Sequence, residues 1–254
     1  MTYSVSDYVA ESFDGMLVVG DTHSDFASFR RAHDYARSEN FFFMSLGDLV
    51  DRGPHPFEVV ELMYRAIYDG RAGFIVGNHD NKFYRYANGA DVRFSRDGKK
   101  TLEDVGEERM TDFLRMYCEI VEMKMQSSLF HKFGDLVLVH AAGHHSLWDG
   151  TPTSKSAQSR FLVGETNNEV YPDGYPVRLY NWIDEIPMGK TLMVGHDSHP
   201  IHNVLITEPM TVTNKDGGKA IFLDTGCGKG GFMTGAVVLH SKGKFKVDSF
   251  MEFK

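Results

Sequence analysis

Short apolar runs recur along the chain, and most of them end on a polar residue with chemical potential. Residues 16–20 (MLVVG) lead into Asp21 and His23, 41–47 (FFFMSLG) into Asp48, and 73–77 (GFIVG) into Asn78 and His79. Later, 136–139 (LVLV) precede His140, 191–195 (TLMVG) precede His196, and 220–223 (AIFL) precede Asp224. Continuous short runs of Val, Ile, Leu and Phe predict strands buried on both faces. Helical spacing fills the gaps: Phe26, Phe29, His33 and Ala36 follow the first run, and Val60, Met63 and Ile67 follow the second, after Pro54 and Pro56. Strand–helix alternation predicts a largely parallel α/β sheet, with functional groups at the carboxyl ends of its strands.

The second half is less regular. Residues 101–125 predict one helix capped by Thr101, with Met110, Phe113, Leu114, Tyr117 and Val121 on one face. Met110, Met116, Met123 and Met125 then read as core or as cover for an apolar surface. Residues 142–190 are rich in Gly, Pro, Ser and Asn and read as loops. At the end, 232–240 and 244–250 flank Ser-Lys-Gly and predict an antiparallel hairpin. With no repeat or linker, 1–254 reads as a single domain in which 82–130 forms a helical, substrate-recognising insertion.

Composition adds limits rather than chemistry. Of 254 residues, 42% are hydrophobic, the balance of a globular chain, and no apolar run nears the roughly 20 residues that span a bilayer. The polar, acidic start lacks a signal-peptide pattern, and Cys118 and Cys227 cannot form a disulfide framework, so the expected compartment is the cytoplasm, with no membrane partner. A net charge of −8 argues against wholesale wrapping of nucleic acid. Residues 82–100 run against this trend, with six basic and two acidic side chains interleaved with Phe83, Tyr84, Tyr86 and Phe94. Such a stretch suits a nucleic-acid end, or else is a solvated face whose aromatics reach the core.

Six metal-capable residues lie at strand tips: Asp21, His23, Asp48, Asn78, His140 and His196. A mixed imidazole, carboxylate and amide set suits two borderline divalent cations, with Asp48 as the natural bridge. Single strand-end histidines and Gly-Asp pairs are usually structural. Here the informative feature is that Gly-Asp-x-His, Gly-Asp-x-x-Asp-Arg-Gly and Gly-Asn-His-Asp follow three apolar runs in order. His144-His145 and His199 with His202 read as local hydrogen-bonding groups rather than additional ligands.

GDTHSD (20–25), GDLVDRG (47–53), GNHD (77–80), LVHAA (138–142) and VGHD (194–197) together resemble the signatures of the calcineurin-like metallophosphoesterases, in particular the phosphoprotein phosphatase branch. The resemblance implies two mixed β-sheets packed as a sandwich and flanked by helices. It implies one metal on Asp21, His23 and Asp48 and a second on Asp48, Asn78, His140 and His196, with Mn expected and Fe, Zn or Ni as alternatives. His79 would protonate the leaving group, oriented by Asp51, and Arg52 would grip phosphate. Asp51 as a helix starter and Arg52 as a surface ion pair are the competing structural roles.

A narrower resemblance, through NHDNKFYRYANG (78–89), FLVGETNNEVYPDGYPVR (161–178) and IFLDTGCGKGGFMTGAVV (221–238), is to the phosphatase module of bacterial polynucleotide kinase–phosphatases. It implies terminal 3′- or 2′,3′-cyclic phosphates of nucleotides or nucleic acids as substrates, Arg178 as a second phosphate clamp and Asp224 at the pocket rim. Either residue could instead be a loop or turn group. The sequence departs from the family at Ser24 (usually Gly), Ala142 (usually Gly) and Asp197 (usually Thr), and it has no kinase P-loop. A phosphoprotein phosphatase, a dinucleoside-polyphosphate hydrolase and a non-catalytic metal-binding module remain as alternatives.

Overall fold

The computed structural model describes residues 4–123, 125–172, 174–201 and 203–254. Its early strands are β1 (Gly15–Val19), β2 (Phe41–Ser45), β3 (Ala72–Ile75), β4 (Ser127–Ser128), β5 (Phe130–Phe133) and β6 (Leu136–Val139). The later ones are β7 (Thr166–Val170), β8 (Pro176–Arg178), β9 (Thr191–Val194), β10 (Met210–Thr213), β11 (Lys219–Phe222), β12 (Met233–Ser241) and β13 (Lys244–Phe253). Among the described residues they form a six-stranded sheet, β13-β12-β1-β2-β3-β4, and a five-stranded sheet, β10-β11-β9-β6-β5, with β7 and β8 paired apart. Both large sheets are mixed. β1 to β4 run parallel with the β12–β13 hairpin antiparallel at one side, and β11, β9 and β6 run parallel between antiparallel β10 and β5.

The continuous apolar runs follow from this layering. Met16, Val18, Phe42, Met44 and Ile75 point between the sheets and meet Leu136, Leu138, Met193 and Ile221 from the other side. Their sequence neighbours Leu17, Val19, Phe43 and Phe74 point the opposite way, onto helices α2 (Phe26–Ser38), α3 (Pro56–Tyr68) and α6 (Glu107–Glu122). On the outer face of the second sheet, Val137, Val139, Leu192, Val194 and Phe222 are covered by Phe161, Trp182 and Ile183. A strand buried on both faces has no polar side to alternate with. The sandwich expected from the resemblance is therefore the observed fold, whereas run composition alone fits an open sheet equally well. Among the described residues, no helix is long and apolar enough to cross a membrane.

The predicted hairpin is present, turning at Lys242 (φ +50°) and Gly243 (φ +74°). The single helix expected over 101–125 is instead two, α5 (Arg96–Val105) and α6, because Gly106 takes φ +74° and breaks the path between them. Ser95 caps α5, and Thr101 lies buried inside it. Segment 82–130 is helical through α4 (Asn78–Ala87), α5 and α6, but then supplies β4 to the edge of one sheet and β5 to the edge of the other. Met116 is buried on the core, Met110 and Met123 pack against it, and Met125 is exposed.

Helices α4 and α6 meet on a cluster of rings. Phe83 is fully buried against Phe94, Phe113 and Tyr117, with centroids 4.9, 5.9 and 5.8 Å away. It is a core anchor and not a stacking surface for a base. Tyr117 also donates its hydroxyl to Asp80 Oδ1 at 2.6 Å. Asp80 collects the Gly77, Asp48 and Leu49 N–H groups as well, at 2.8, 2.6 and 3.0 Å, so it ties the α4 N-terminus to the loop after β2.

Replacing Phe83 by Ala is expected to destabilise the fold by about 3–5 kcal/mol in urea unfolding, the usual cost of emptying a core aromatic site. Tyr117→Phe keeps the ring but leaves Asp80 one donor short, and is expected to cost about 1–3 kcal/mol by the same measurement.

Candidate metal centre

Loops from the carboxyl ends of β1, β2, β3, β6, β9 and β11 converge at one end of the sandwich, and their backbones are unusual there. Of eleven non-glycine residues at positive φ among those described, six fall in the motif loops: His23, Ser24, Asp48, Asp51, Arg52 and His196. Each costs roughly 1–2 kcal/mol in isolation, so their concentration marks a place where the surrounding structure dictates geometry. Ser24, at φ +60°, shows why a glycine is usual at that position. Gly77 behaves differently. Its φ of −86° is ordinary, but a Cβ there would lie 2.2 Å from Asp48 Oδ1, so glycine is needed for close approach.

Donor atoms gather around Asp48 in two groups: Asp21, His23 and Asp48, and Asp48, His140 and His196. Within each group the atoms lie within 4.8 Å of one another, a geometry that could hold a cation, and Asp48 belongs to both. Asn78 adds an amide oxygen 3.2 Å from His140 Nε2, which is 3.4 Å from Asp48 Oδ2. The loops fix the imidazoles from behind. His23 Nδ1 lies 2.9 Å from the Val50 carbonyl and His140 Nδ1 2.7 Å from that of Leu46, contacts that favour Nδ1–H donation and turn Nε2 inward. Among the described residues, His23 Nε2 and His196 Nε2 are buried without a hydrogen-bond partner. Such orphaned basic nitrogens facing carboxylates fit divalent metal ions.

Burial opposes ionisation of both Asp21 and Asp48, yet Lys229 holds the first carboxyl well below its usual range and His140 does the same for the second. Burial also opposes the His140 charge, but Asp48 outweighs it and raises this imidazole to about 9. A cation on Asp48 would supply the same charge and release that proton. His196 is pushed down by burial and then by Arg178, which leaves it neutral with a lone pair to offer.

Beside this cluster, His79 presents its Nδ1 to Asp51 Oδ2 in a short hydrogen bond and its backbone N–H to Asp48 Oδ1 at 2.9 Å. Its ring meets that of His23 edge-on at 5.2 Å. Burial lowers the His79 pKa, but Asp48 and Asp51 together raise it above the ordinary histidine value. Asp51 in turn accepts the Thr101 hydroxyl at 2.7 Å, so it orients His79 and does not start a helix. Thr101 was expected as a helix cap. No local pattern reveals its actual partner, which lies 50 residues away.

Arg52 is exposed near the same loops, and its charge is felt by Lys229. Arg178 reaches the His196 side, where its Nε lies 3.7 Å from Asp197 Oδ2 and its head group donates to the Val163 carbonyl. Asp197 does not project at the metal-capable groups. It accepts from the Tyr180 and Tyr175 hydroxyls at 2.6 and 3.3 Å. Asp224, expected at the pocket rim, is buried, accepting the Gly226 N–H at 2.9 Å and pairing with Lys229 Nζ at 2.7 Å. Burial works against the Lys229 charge, but Asp224 and then Asp21 overcome it and raise its pKa. Lys229 is a site residue outside the five metal-site signatures; it falls within the 221–238 stretch, where its only signal is a lysine set among glycines just after a strand-end aspartate.

Three of the other expected hydrogen-bonding histidines are accounted for locally: His144 with Ser146 at 2.9 Å, His145 with Asp149 at 2.7 Å, and His199 with Ser198 at 3.1 Å. His202 lies outside the described residues. Both Cys118 and Cys227 are free thiols.

The chain is similar to known proteins in sequence and fold. Residues 16–171 match the calcineurin-like phosphoesterase family. Among curated proteins, the bis(5′-nucleosyl)-tetraphosphatase PrpE [asymmetrical] of Geobacillus sp. is 30% identical over 196 residues, covering 74% of this chain and 72% of that protein. Its namesake from Halalkalibacterium halodurans is 26% identical over 229 residues, 85% and 87% of the two chains. In fold, a protein serine/threonine phosphatase from Saccharomyces cerevisiae superposes with a TM-score of 0.52 at 13% identity, covering 98% of this chain and 89% of that one. The chain belongs to the calcineurin-like phosphoesterase family.

Proposed function

We propose that this phosphoesterase hydrolyses its substrates at a two-metal centre, with Asp21, His23 and Asp48 holding one ion and Asp48, Asn78, His140 and His196 the other. The observation that carries the reading is the pair of donor groups sharing Asp48, with His79–Asp51 alongside. Divalent ions there would neutralise phosphoryl charge and supply an acidified water for in-line attack. His79, its Nδ1 fixed by Asp51, protonates the leaving oxygen through Nε2, and its raised pKa keeps that proton available near neutrality. Arg52 offers a fork of donors to the phosphate oxygens, and Arg178 approaches from the His196 side.

For substrate we propose a dinucleoside polyphosphate. The relatives named above support this class, and the loss of Phe83 to the core weakens the case for a base-stacking platform in 82–100. A terminal phosphate on a nucleic acid is the second reading. It is favoured by Arg85, Arg93, Arg96 and Lys99, which all project into solvent from that segment.

The first test uses protein stripped with a chelator and then reloaded with Mn²⁺. Turnover of p-nitrophenyl phosphate is expected to vanish on stripping and return on reloading. His79→Ala is expected to lower kcat on a phosphoserine peptide or an RNA 3′-phosphate by about 10²–10⁴-fold, and by less on p-nitrophenyl phosphate, whose leaving group needs little protonation. Metal-independent turnover, or an undiminished His79→Ala enzyme, would overturn the mechanism. In the same panel, diadenosine tetraphosphate is expected to give the highest kcat/KM, and a higher value on any of the esters would overturn the substrate assignment.

The second reading has its own check. Removing two positive charges with Arg85→Ala/Arg96→Ala is expected to leave KM for an oligonucleotide 3′-phosphate unchanged. A rise of about fivefold or more would instead place nucleic acid on this face.

A further inference from the structure

The two oxygens of Asp21 have separate partners. Oδ1 accepts the His196 N–H at 2.7 Å, so Oδ2 is the oxygen turned toward His23 Nε2, 3.5 Å away. The Lys229 ammonium lies 3.5 Å from that same Oδ2 and 2.7 Å from Asp224 Oδ2. Its side chain is only 12% exposed. The loop that presents it is tightly fixed. Lys229 and Gly231 both donate backbone N–H groups to the Gly226 carbonyl, and any Cβ at Gly228 would lie 2.5 Å from His23 Cβ. Lys229 is thus built into the wall of the Asp21–His23–Asp48 group. The other group has no such pairing, and the Arg178 charge reaches only His196, from outside the group. Among the described residues, Asp48, His140 and His196 make no ion pair with Lys or Arg, and the Arg178 head group is held by Asp197 and the Val163 carbonyl.

We propose that Lys229 is an internal counter-ion that competes with the incoming metal for Asp21. The two ions consequently bind in order: the Asp48–Asn78–His140–His196 position fills first and tightly, and the Asp21–His23–Asp48 position second and more weakly. The inference rests on the two-metal reading above. A metal arriving at Asp21 must displace the attraction that oxygen already has to an ammonium, and it then sits beside a like charge. Asp224 keeps the lysine in place throughout, so the competition belongs to the folded wall rather than to a mobile side chain. Lys229 acts here by setting metal affinity and is a positioning residue, not a catalytic one.

Calorimetric titration of the chelator-stripped protein with Mn²⁺ reads this directly, without turnover. The natural sequence is expected to show two unequal binding steps. Lys229→Met is expected to tighten the weaker step on the order of tenfold, while the tighter step moves by less than about twofold. Lys229→Met also leaves Asp224 unpaired, and a bare carboxylate attracts metal by itself. The double variant Lys229→Met/Asp224→Asn removes the pair together and is expected to show the same tightening; Lys229→Arg, which keeps the charge, is expected to retain the weak step. Tightening in the single variant alone would assign the effect to Asp224 and overturn the proposal, as would unchanged or loosened second steps in both methionine variants. One Mn²⁺ per chain in the natural sequence and all variants would overturn the two-metal reading itself.

Discussion

Asp48 is the carboxylate on which the rest of the site depends. It is buried, it belongs to both groups of metal-capable side chains, and it accepts the His79 backbone N–H. A charge so placed must be compensated, and the neighbouring structure is organised to do so. The missing Cβ of Gly77 makes room for its oxygens, Asp80 takes its backbone N–H, and His140 approaches at 3.4 Å. Tyr117 and Thr101 then brace Asp80 and Asp51 from helices α6 and α5. A side chain as remote in sequence as Tyr117 therefore bears on where the site's central carboxylate sits.

The site's electrostatics divide along a line through Asp48. On one side His140 offers an imidazole backed by the Leu46 carbonyl with Asn78 beside its Nε2, and His196 a buried Nε2 without a hydrogen-bond partner, with no lysine or arginine paired to either among the described residues. On the other, Asp21 shares its outward oxygen between His23 and Lys229. Asp224, which looks like a participant from its place at a strand tip, instead neutralises that lysine from inside the wall. The asymmetry arises from one side chain in a glycine-rich loop.

Residues 82–100 serve the core as well as the surface. Five of the six basic groups are exposed as a solvated face requires, but Phe83 is committed to a ring cluster that fixes α4 against α6. Helix α4 begins at Asn78 and carries His79 in its first turn, so this apolar packing orients the end of the helix that presents His79.

Much of this protein was legible in its sequence because its motifs are local. A strand buried on both faces must be continuously apolar, and a group placed at its tip must follow at once, so Gly-Asp-x-His, Gly-Asp-x-x-Asp-Arg-Gly and Gly-Asn-His-Asp reveal strand, turn and chemistry together. Their order also carries the family, and with it the sandwich. What tertiary structure alone decided are the contacts made across long sequence separations. These include Thr101 on Asp51, Tyr117 on Asp80 and Lys229 on Asp21. Hydrogen bonds and ion pairs of this kind depend on where the folded backbone delivers a side chain, and residue type and spacing along the chain do not encode that position.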